Sequence, residues 1–532
     1  MHIGKIHIAD RYHRYLYLAS LAFVLFSLPF YRAMSSIGLI VMAANWILEG
    51  HFDVKWQRLR KNPGIWLLAS FYFTGILGAL YSEDMRQVVQ HLQNGLAFLA
   101  VPLVIGTTSP LSVKEIKIIT GALTLSVVIN SLVSYSLFLG FFDVAINNFR
   151  QYSYFSSNVH LSYNAIVGVV VLCYHLSQQR YRISSRERWM VLGLMIWMGI
   201  YVYFLRSFSG IITLSVFIWG MLLVRSWRLR PILRIPVVLM LLAAPALPIY
   251  LFQNIYQNNF SEFDAEVEAL PEKTAKGNAY KHNLKNPMME NGNYVGLYIS
   301  EEELGKAWNE RSDVAFEGKD HKGQPLHMTL IRYMTAKGFR KDAEGLAKMS
   351  AKDIRNVEKG ITNPIYASPA NFYYHRVYTL AQAVFYYKKT GKPFDSVTKR
   401  FEAYRAMISI FKENPLIGVG NGDIKEAYDR YFNKKYENAE KMGLVGGHNQ
   451  YLKILATFGL VGFAWFLIAF FGSWFVQRGH RHFLSRTIFL ALLLAMISEV
   501  PLDQQRPAIL FSIFYSVFLF RNPVDKEEHT AL

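Results

Sequence analysis

Cysteine is almost missing from this chain. Its one copy, Cys173, lies within an apolar block, so no intrachain disulfide and no multi-cysteine zinc site can form. Charge is also scarce: Asp, Glu, Lys and Arg make up only 18% of 532 residues, while 52% are hydrophobic and 15% aromatic. Several marks of soluble catalysis are absent too. There is no His-Glu-x-x-His zinc motif and no Gly-x-Ser-x-Gly nucleophile elbow. His160, His282, His321, His327 and His375 lack metal-ligand spacing, and nothing in the sequence asks for a cofactor.

Long apolar runs are what the chain has in abundance. A bilayer core needs roughly 20 apolar residues per helix. Blocks near that length run over 15–31, 33–49, 63–81, 93–106, 118–141, 161–177, 189–205, 208–224, 233–252, 453–476, 484–500 and 507–520. They predict an all-α integral membrane protein of about twelve transmembrane helices. The first block has a basic start but no small-residue cleavage site, which predicts a retained helix rather than a signal peptide.

The formal charge of +19 follows the loops. Cations cluster at Lys5, Arg11 and Arg14, at Lys55, Arg58, Arg60 and Lys61, and at Lys114 and Lys117. They return at Arg180, Arg182, Arg186 and Arg188, at Arg225, Arg228, Arg230 and Arg234, and at Arg478, Arg481 and Arg486. The alternate loops hold single ones: Arg32, Arg86, Arg150, Arg206 and Arg506. Such alternation is the positive-inside rule, and it predicts cytoplasmic termini with the long segment between the ninth and tenth blocks outside. Membrane lipids as partners account for the basic excess, and nucleic acid is not needed.

The predicted organisation is a bundle of helices 1–9 over 1–252, an external domain over 253–447, and helices 10–12 with a tail over 448–532. The external domain should be mostly helical from Met328 onward, with a turn at Asn291-Gly292-Asn293 and a helix cap at Ser350 and Asp353. Aromatic residues crowd 372–387 (Phe372, Tyr373, Tyr374, Tyr378, Phe385, Tyr386, Tyr387), as a sugar platform or as a helix core.

Candidate chemistry gathers before the tenth block. Arg400, Phe401, Tyr404, Arg405, Ile408 and Phe411 read as an amphipathic helix ended by Pro415. The stretch Leu416 to Asp423 is glycine-rich but lacks the Lys-Ser/Thr of a P-loop, so it reads as a tight turn. Gly446-Gly447-His448-Asn449-Gln450-Tyr451-Leu452 then opens a predicted transmembrane helix. A helix start favours phosphate, and a histidine near neutral pKa suits a general base; an interfacial histidine at a helix end is the other reading. Arg206, Arg400 and Arg405 suit phosphate recognition, although snorkelling also accounts for Arg206. Glu499 pairs with Arg506 or lines a cavity.

His448-Asn449-Gln450-Tyr451-Leu452 with Phe458-Gly459-Leu460-Val461-Gly462, and upstream Arg400 through Gly420, resemble the signature of the O-antigen ligase and polymerase superfamily. Thr329-Leu330-Ile331-Arg332-Tyr333 and Gly338-Phe339-Arg340-Lys341-Asp342 resemble the Bacteroidetes version of its large loop. The resemblance implies a GT-C-like, metal-independent, inverting glycosyltransferase of the bacterial inner membrane, with that loop periplasmic. Its donor would be an undecaprenyl-diphosphate-linked glycan and its acceptor the lipid A–core. It also implies that His448 is the base, with Asn449 and Tyr451 supporting it, and that Arg400 holds the diphosphate. A second diphosphate arginine usually stands in Ser-Arg-Ser/Thr-Gly. Here that pattern reads Ser207-Phe208-Ser209-Gly210, with Arg206 two places earlier, about half a turn if helical, and Arg405 as the alternative. Repeat-unit polymerase and protein O-glycosyltransferase are the alternatives within the class. A transporter is the alternative outside it, but no inverted repeat supports one.

Overall fold

The computed structural model describes the chain apart from residues 1, 143, 145–148, 178–183, 261–269, 284, 286, 369–371, 438, 441, 445–446, 482 and 521–532. Arg180, Arg182 and Gly446 thus lie outside the described residues, as do the side chains of Phe372 and Tyr373. The chain forms two compact units, one of Met1–Met221 with Ala403–Leu532, the other of Leu222–Glu402.

The fold is nearly all helical, and each of the twelve apolar blocks lies on helix. Among the described residues six helices are long and apolar enough to cross a membrane, or seven if the bent pair Arg32–Leu48 and Phe52–Lys61 counts as one span. Others fall short for a simple reason: Pro63–Ala79, Ser485–Ser498 and Gln505–Leu519 are apolar but have at most 17 residues.

In the first unit, helix His2–Ser27 packs on Arg32–Leu48 and Val113–Phe138, and Gln505–Leu519 packs on Ala97–Thr107. Every residue from 508 to 519 is buried, as expected of a helix apolar on all sides at the centre of a bundle. Ser512 and Tyr515 find partners inside, donating to the Ala97 carbonyl at 2.8 Å and the Phe470 carbonyl at 2.5 Å, whereas the buried Ser516 hydroxyl has none among the described residues. Capping boxes start two of the long helices, Ser112 with Glu115 before Val113–Phe138 and Ser184 with Glu187 before Ser185–Phe204.

The second unit holds an apolar stretch, Pro231–Asn259, of which only 6% of the most apolar window is buried within the protein. Ile232 and Leu247 are 81% and 70% exposed. Water does not tolerate so large a bare apolar surface, whereas lipid does. The rest of the unit has its own cores. One gathers Leu304, Trp308, Leu330, Met334, Leu346 and Val357. The other joins Ile255, Phe260, Met289, Tyr378 and Phe385, so Tyr378 and Phe385 of the aromatic run are core residues.

The turn expected at Asn291 closes a hairpin, Met289–Glu290 with Asn293–Tyr294, and both Asn291 (φ 48°) and Gly292 (φ 83°) are left-handed, as this tight turn requires. The expected cap is also formed: the Ser350 hydroxyl accepts from the Asp353 N–H at 3.2 Å, and Asp353 accepts the Ser350 N–H at 2.9 Å. The motif Thr329–Tyr333 serves the same scaffold. Thr329 donates to Asp320 at 2.7 Å, Arg332 Nε to the fully buried Glu290 at 2.8 Å, and Tyr333 to Asp353 at 2.6 Å. Leu330 and Ile331 between them fill the core.

Candidate active site

The helix that follows His448 is held at an interruption in its own backbone. Gly459, within Gln450–Leu467, has φ 63° and ψ −164°, which removes the helical bonds from Leu460 to Ala456 and from Val461 to Thr457. The glycine-rich loop supplies all four missing partners. Val419 and Gly420 N–H donate to the Ala456 and Thr457 carbonyls at 3.1 and 2.9 Å. Leu460 and Val461 N–H donate to the Pro415 and Leu416 carbonyls at 2.8 and 3.1 Å. The contact is backbone to backbone. A Cβ on Gly418 would lie 2.4 Å from the Thr457 carbonyl carbon, and one on Gly459 would lie 2.3 Å from that of Leu416. Both glycines also have positive φ. The tight turn read from Leu416 to Asp423 is therefore a splint for the helix after His448.

The splint is itself anchored. Asn421 Nδ2 donates to the Gly75 carbonyl at 3.0 Å, and Gly422 N–H to the Ser82 hydroxyl at 3.0 Å. The Asp423 carboxylate accepts the N–H groups of Glu83 and Asp84 at 2.9 and 3.0 Å.

Ahead of the splinted helix, Asn449 is the N-cap: its Oδ1 accepts the Leu452 N–H at 3.0 Å while its Nδ2 donates to the Ile497 carbonyl at 3.0 Å. The Tyr404 hydroxyl contacts the same carbonyl at 2.9 Å and the His448 carbonyl at 3.2 Å. Tyr451 donates to the Leu493 carbonyl at 3.0 Å. His448 is thus half-buried on a loop whose backbone is fastened to the end of helix Phe483–Ser498.

The segment from 499 to 506, which holds Glu499 and Arg506, is a second polar junction. Lys453, one turn into the helix, pairs with Asp503 at 2.7 Å, and a Cβ on Gly447 would lie 3.4 Å from the Lys453 stem. Burial pushes the Asp503 carboxyl up, but the charges of Lys453 and His91 outweigh it and hold the group below its ordinary value. Asn94 binds the Asp503 carbonyl at 2.9 Å and accepts from Arg32 at 2.8 Å. The Ser209 hydroxyl reaches Glu499 at 3.5 Å, while Arg506 donates to the Phe30 carbonyl at 2.9 Å. The only sequence signals for Lys453 and Asp503 were a lone cation inside an apolar block and a carboxylate in a short loop.

Arg206 differs from expectation in its setting. It stands in the turn between helices Ser185–Phe204 and Phe208–Ser226, with φ 50°, so the half-turn helical offset from Phe208 does not apply. A non-glycine residue there is strained and ends the first helix in the left-handed position usual for a C-terminal cap. Gly210 of the following helix is required by packing, since a Cβ would lie 2.4 Å from that of Ser162. Through Ser209–Glu499 and Asn449–Ile497, the elements bearing Arg206 and His448 meet the same segment. Arg405 is exposed on helix Ser396–Glu413, and Arg400, half-buried, belongs to the second unit. Among the described residues no His, Cys, Asp and Glu group could hold a metal ion.

Apolar helices long enough to span a bilayer, with buried polar side chains between them, fit a multi-pass membrane protein. Residues 364–467 match the family model described as O-antigen ligase, which supports that family for the chain. The matched stretch holds Arg400, Arg405, the splint loop, His448, Asn449, Tyr451 and the Gly459 break, and it ends before the 499–506 junction. At the general level the family stands for glycosyl transfer in O-antigen and lipopolysaccharide synthesis in a bacterial membrane. No curated protein matches the chain.

Proposed function

We propose that this protein transfers a glycan from an undecaprenyl-diphosphate carrier to the lipid A–core, by inversion and without a metal. In this reading about twelve helices span the inner membrane, both termini are cytoplasmic, and the segment 253–447 is periplasmic. The acceptor hydroxyl oxygen attacks the anomeric carbon and its proton passes to the His448 imidazole. The bond from that carbon to the diphosphate breaks, and undecaprenyl diphosphate leaves. Arg400 and one of Arg206 and Arg405 neutralise the diphosphate, the step that lowers the barrier most. Asn449 and Tyr451 support the histidine by fixing the loop and helix that carry it.

The observation that carries the reading is the family match over 364–467, because its two glycine motifs and the His448 loop form one hydrogen-bonded joint. The test is transfer by purified protein from undecaprenyl-diphosphate glycan to lipid A–core. Glycan on lipid A–core supports ligation. Longer glycans left on the carrier would make the protein a polymerase, and no product with any acceptor would remove the reading.

A further inference from the structure

The motif Gly338-Phe339-Arg340-Lys341-Asp342 has no part in the transfer site, and structural duties account for three of its residues. Gly338 (φ 73°) ends helix Leu326–Ala336, where the Phe339 N–H turns back to the Met334 carbonyl at 2.9 Å. Phe339 packs on the core, and Asp342 caps Ala343–Ala347 by accepting the Gly345 N–H at 2.7 Å. Arg340 and Lys341 remain.

Both line a cleft of about 240 Å³ with Asn293, Tyr294, Tyr298 and Phe339. Lys341 is 2% exposed, yet its ammonium has one weak contact, the Tyr294 carbonyl at 3.5 Å. Arg340 lies at the exposed rim with its guanidinium 5.1 Å from the Tyr298 ring centre. Among the described residues neither cation forms an ion pair with a carboxylate: the nearby Asp342 is engaged by the Gly345 N–H and the Tyr280 hydroxyl. A buried ammonium without a direct ion-pair partner is costly, and burial lowers this one to about 8 against a partial pull upward from the Asp342 carboxylate. Tyr298 is also held at φ 55°, a strained angle for a tyrosine, with its carbonyl taking the Lys341 N–H at 2.9 Å.

We propose that this cleft binds a single sugar unit bearing an anionic group, carboxylate or phosphate, with Lys341 and Arg340 taking the anion and Tyr294 and Tyr298 contacting the sugar. Its volume falls below the roughly 300–1,000 Å³ of drug-sized pockets, which suits one ring rather than an extended chain. The anion follows from the two cations; the choice of a sugar rests on the glycosyl-transfer reading.

Calorimetric titration of the full-length protein in detergent tests it with glucuronic acid, glucose 1-phosphate, glucose and inorganic phosphate. At least one acidic sugar should bind about tenfold or more tighter than glucose and than inorganic phosphate. Lys341→Met and Arg340→Gln should each weaken it by a similar factor; Arg340 is exposed, so its variant folds even if the buried one does not. Preference for glucuronic acid or for glucose 1-phosphate supports the proposal and identifies the anion as carboxylate or phosphate. Affinity equal to that of glucose or inorganic phosphate, no binding of either acidic sugar, or binding unchanged in both variants would overturn it. Binding is read without transfer, so failure here leaves the His448 assay standing, and failure of transfer leaves this result standing.

Discussion

The Tyr404 hydroxyl lies within hydrogen-bond reach of the Ile497 carbonyl at 2.9 Å and the His448 carbonyl at 3.2 Å, and its single proton is shared between them, so one side chain ties the histidine loop to the end of another helix. Asn449 repeats the connection with its own amide at 3.0 Å. Two links to the Ile497 carbonyl hold the backbone around His448, as the proposed general base would need, since small misplacements of a reacting group cost rate steeply.

Asn449→Ala removes both the helix cap and the Ile497 bond. It should cost about 1–2 kcal/mol of stability and lower kcat roughly tenfold or more with a smaller change in KM. Thermal unfolding together with steady-state transfer kinetics would check this. Unchanged kcat would mean that the loop needs no such anchor.

Gly418→Ala and Gly459→Ala each place a methyl group against backbone at a left-handed position. Nothing flexible can yield, so each should cost more than about 2 kcal/mol and lower the recovery of monodisperse protein. Gly220→Ala, at a position with open space, should be tolerated or slightly stabilising by roughly 1 kcal/mol. Fluorescence-detected gel filtration of the three variants gives the comparison.

Asp503→Asn leaves the Lys453 ammonium without its partner in a mostly buried setting. The loss should be about 3 kcal/mol, and Lys453→Met in the same chain should recover part of it. The folded-state pKa of Asp503 lies below its unfolded value, so its contribution is present above the unfolded value and lost as pH falls through the folded one. Acid unfolding midpoints of wild type and Asp503→Asn measure that contribution.

Lys341 is also depressed, but its window lies above neutral pH, so at pH 7 it weakens the fold where Asp503 strengthens it. Its folded pKa, about 8, lies below the ordinary lysine value of 10.5, so the unfolded chain binds the extra proton between these values. Stability should therefore rise as pH increases from about 8 to 10.5, by at most on the order of 3 kcal/mol. Lys341→Met should raise the unfolding temperature at pH 7 and flatten that rise.

Local features were legible in the sequence because their signals are local. The Ser350–Asp353 cap, the Asn291–Gly292 turn and the glycine turn after Pro415 each depend on neighbours a few residues apart. The partner of that turn, the Gly459 break, lies some forty residues away, and pairing of backbone with backbone leaves no periodic trace. Separation in sequence likewise hid the Lys453–Asp503 pair and the Glu290 carboxylate that receives Arg332, 42 residues away. Arg206 was placed by counting along a helix, but a chain that turns at φ 50° does not obey helical spacing. Apolar blocks were legible as helices because composition marks them; where each helix ends was less so, and Pro63–Ala79, Ser485–Ser498 and Gln505–Leu519 stop at 17 residues or fewer.

The most direct test of the central claim compares wild type and His448→Ala in transfer from undecaprenyl-diphosphate glycan to lipid A–core. The account predicts product with the wild type and a loss of about a hundredfold or more in kcat with the variant, at nearly unchanged donor affinity. A variant that transfers at the wild-type rate would contradict it and remove His448 from the chemistry.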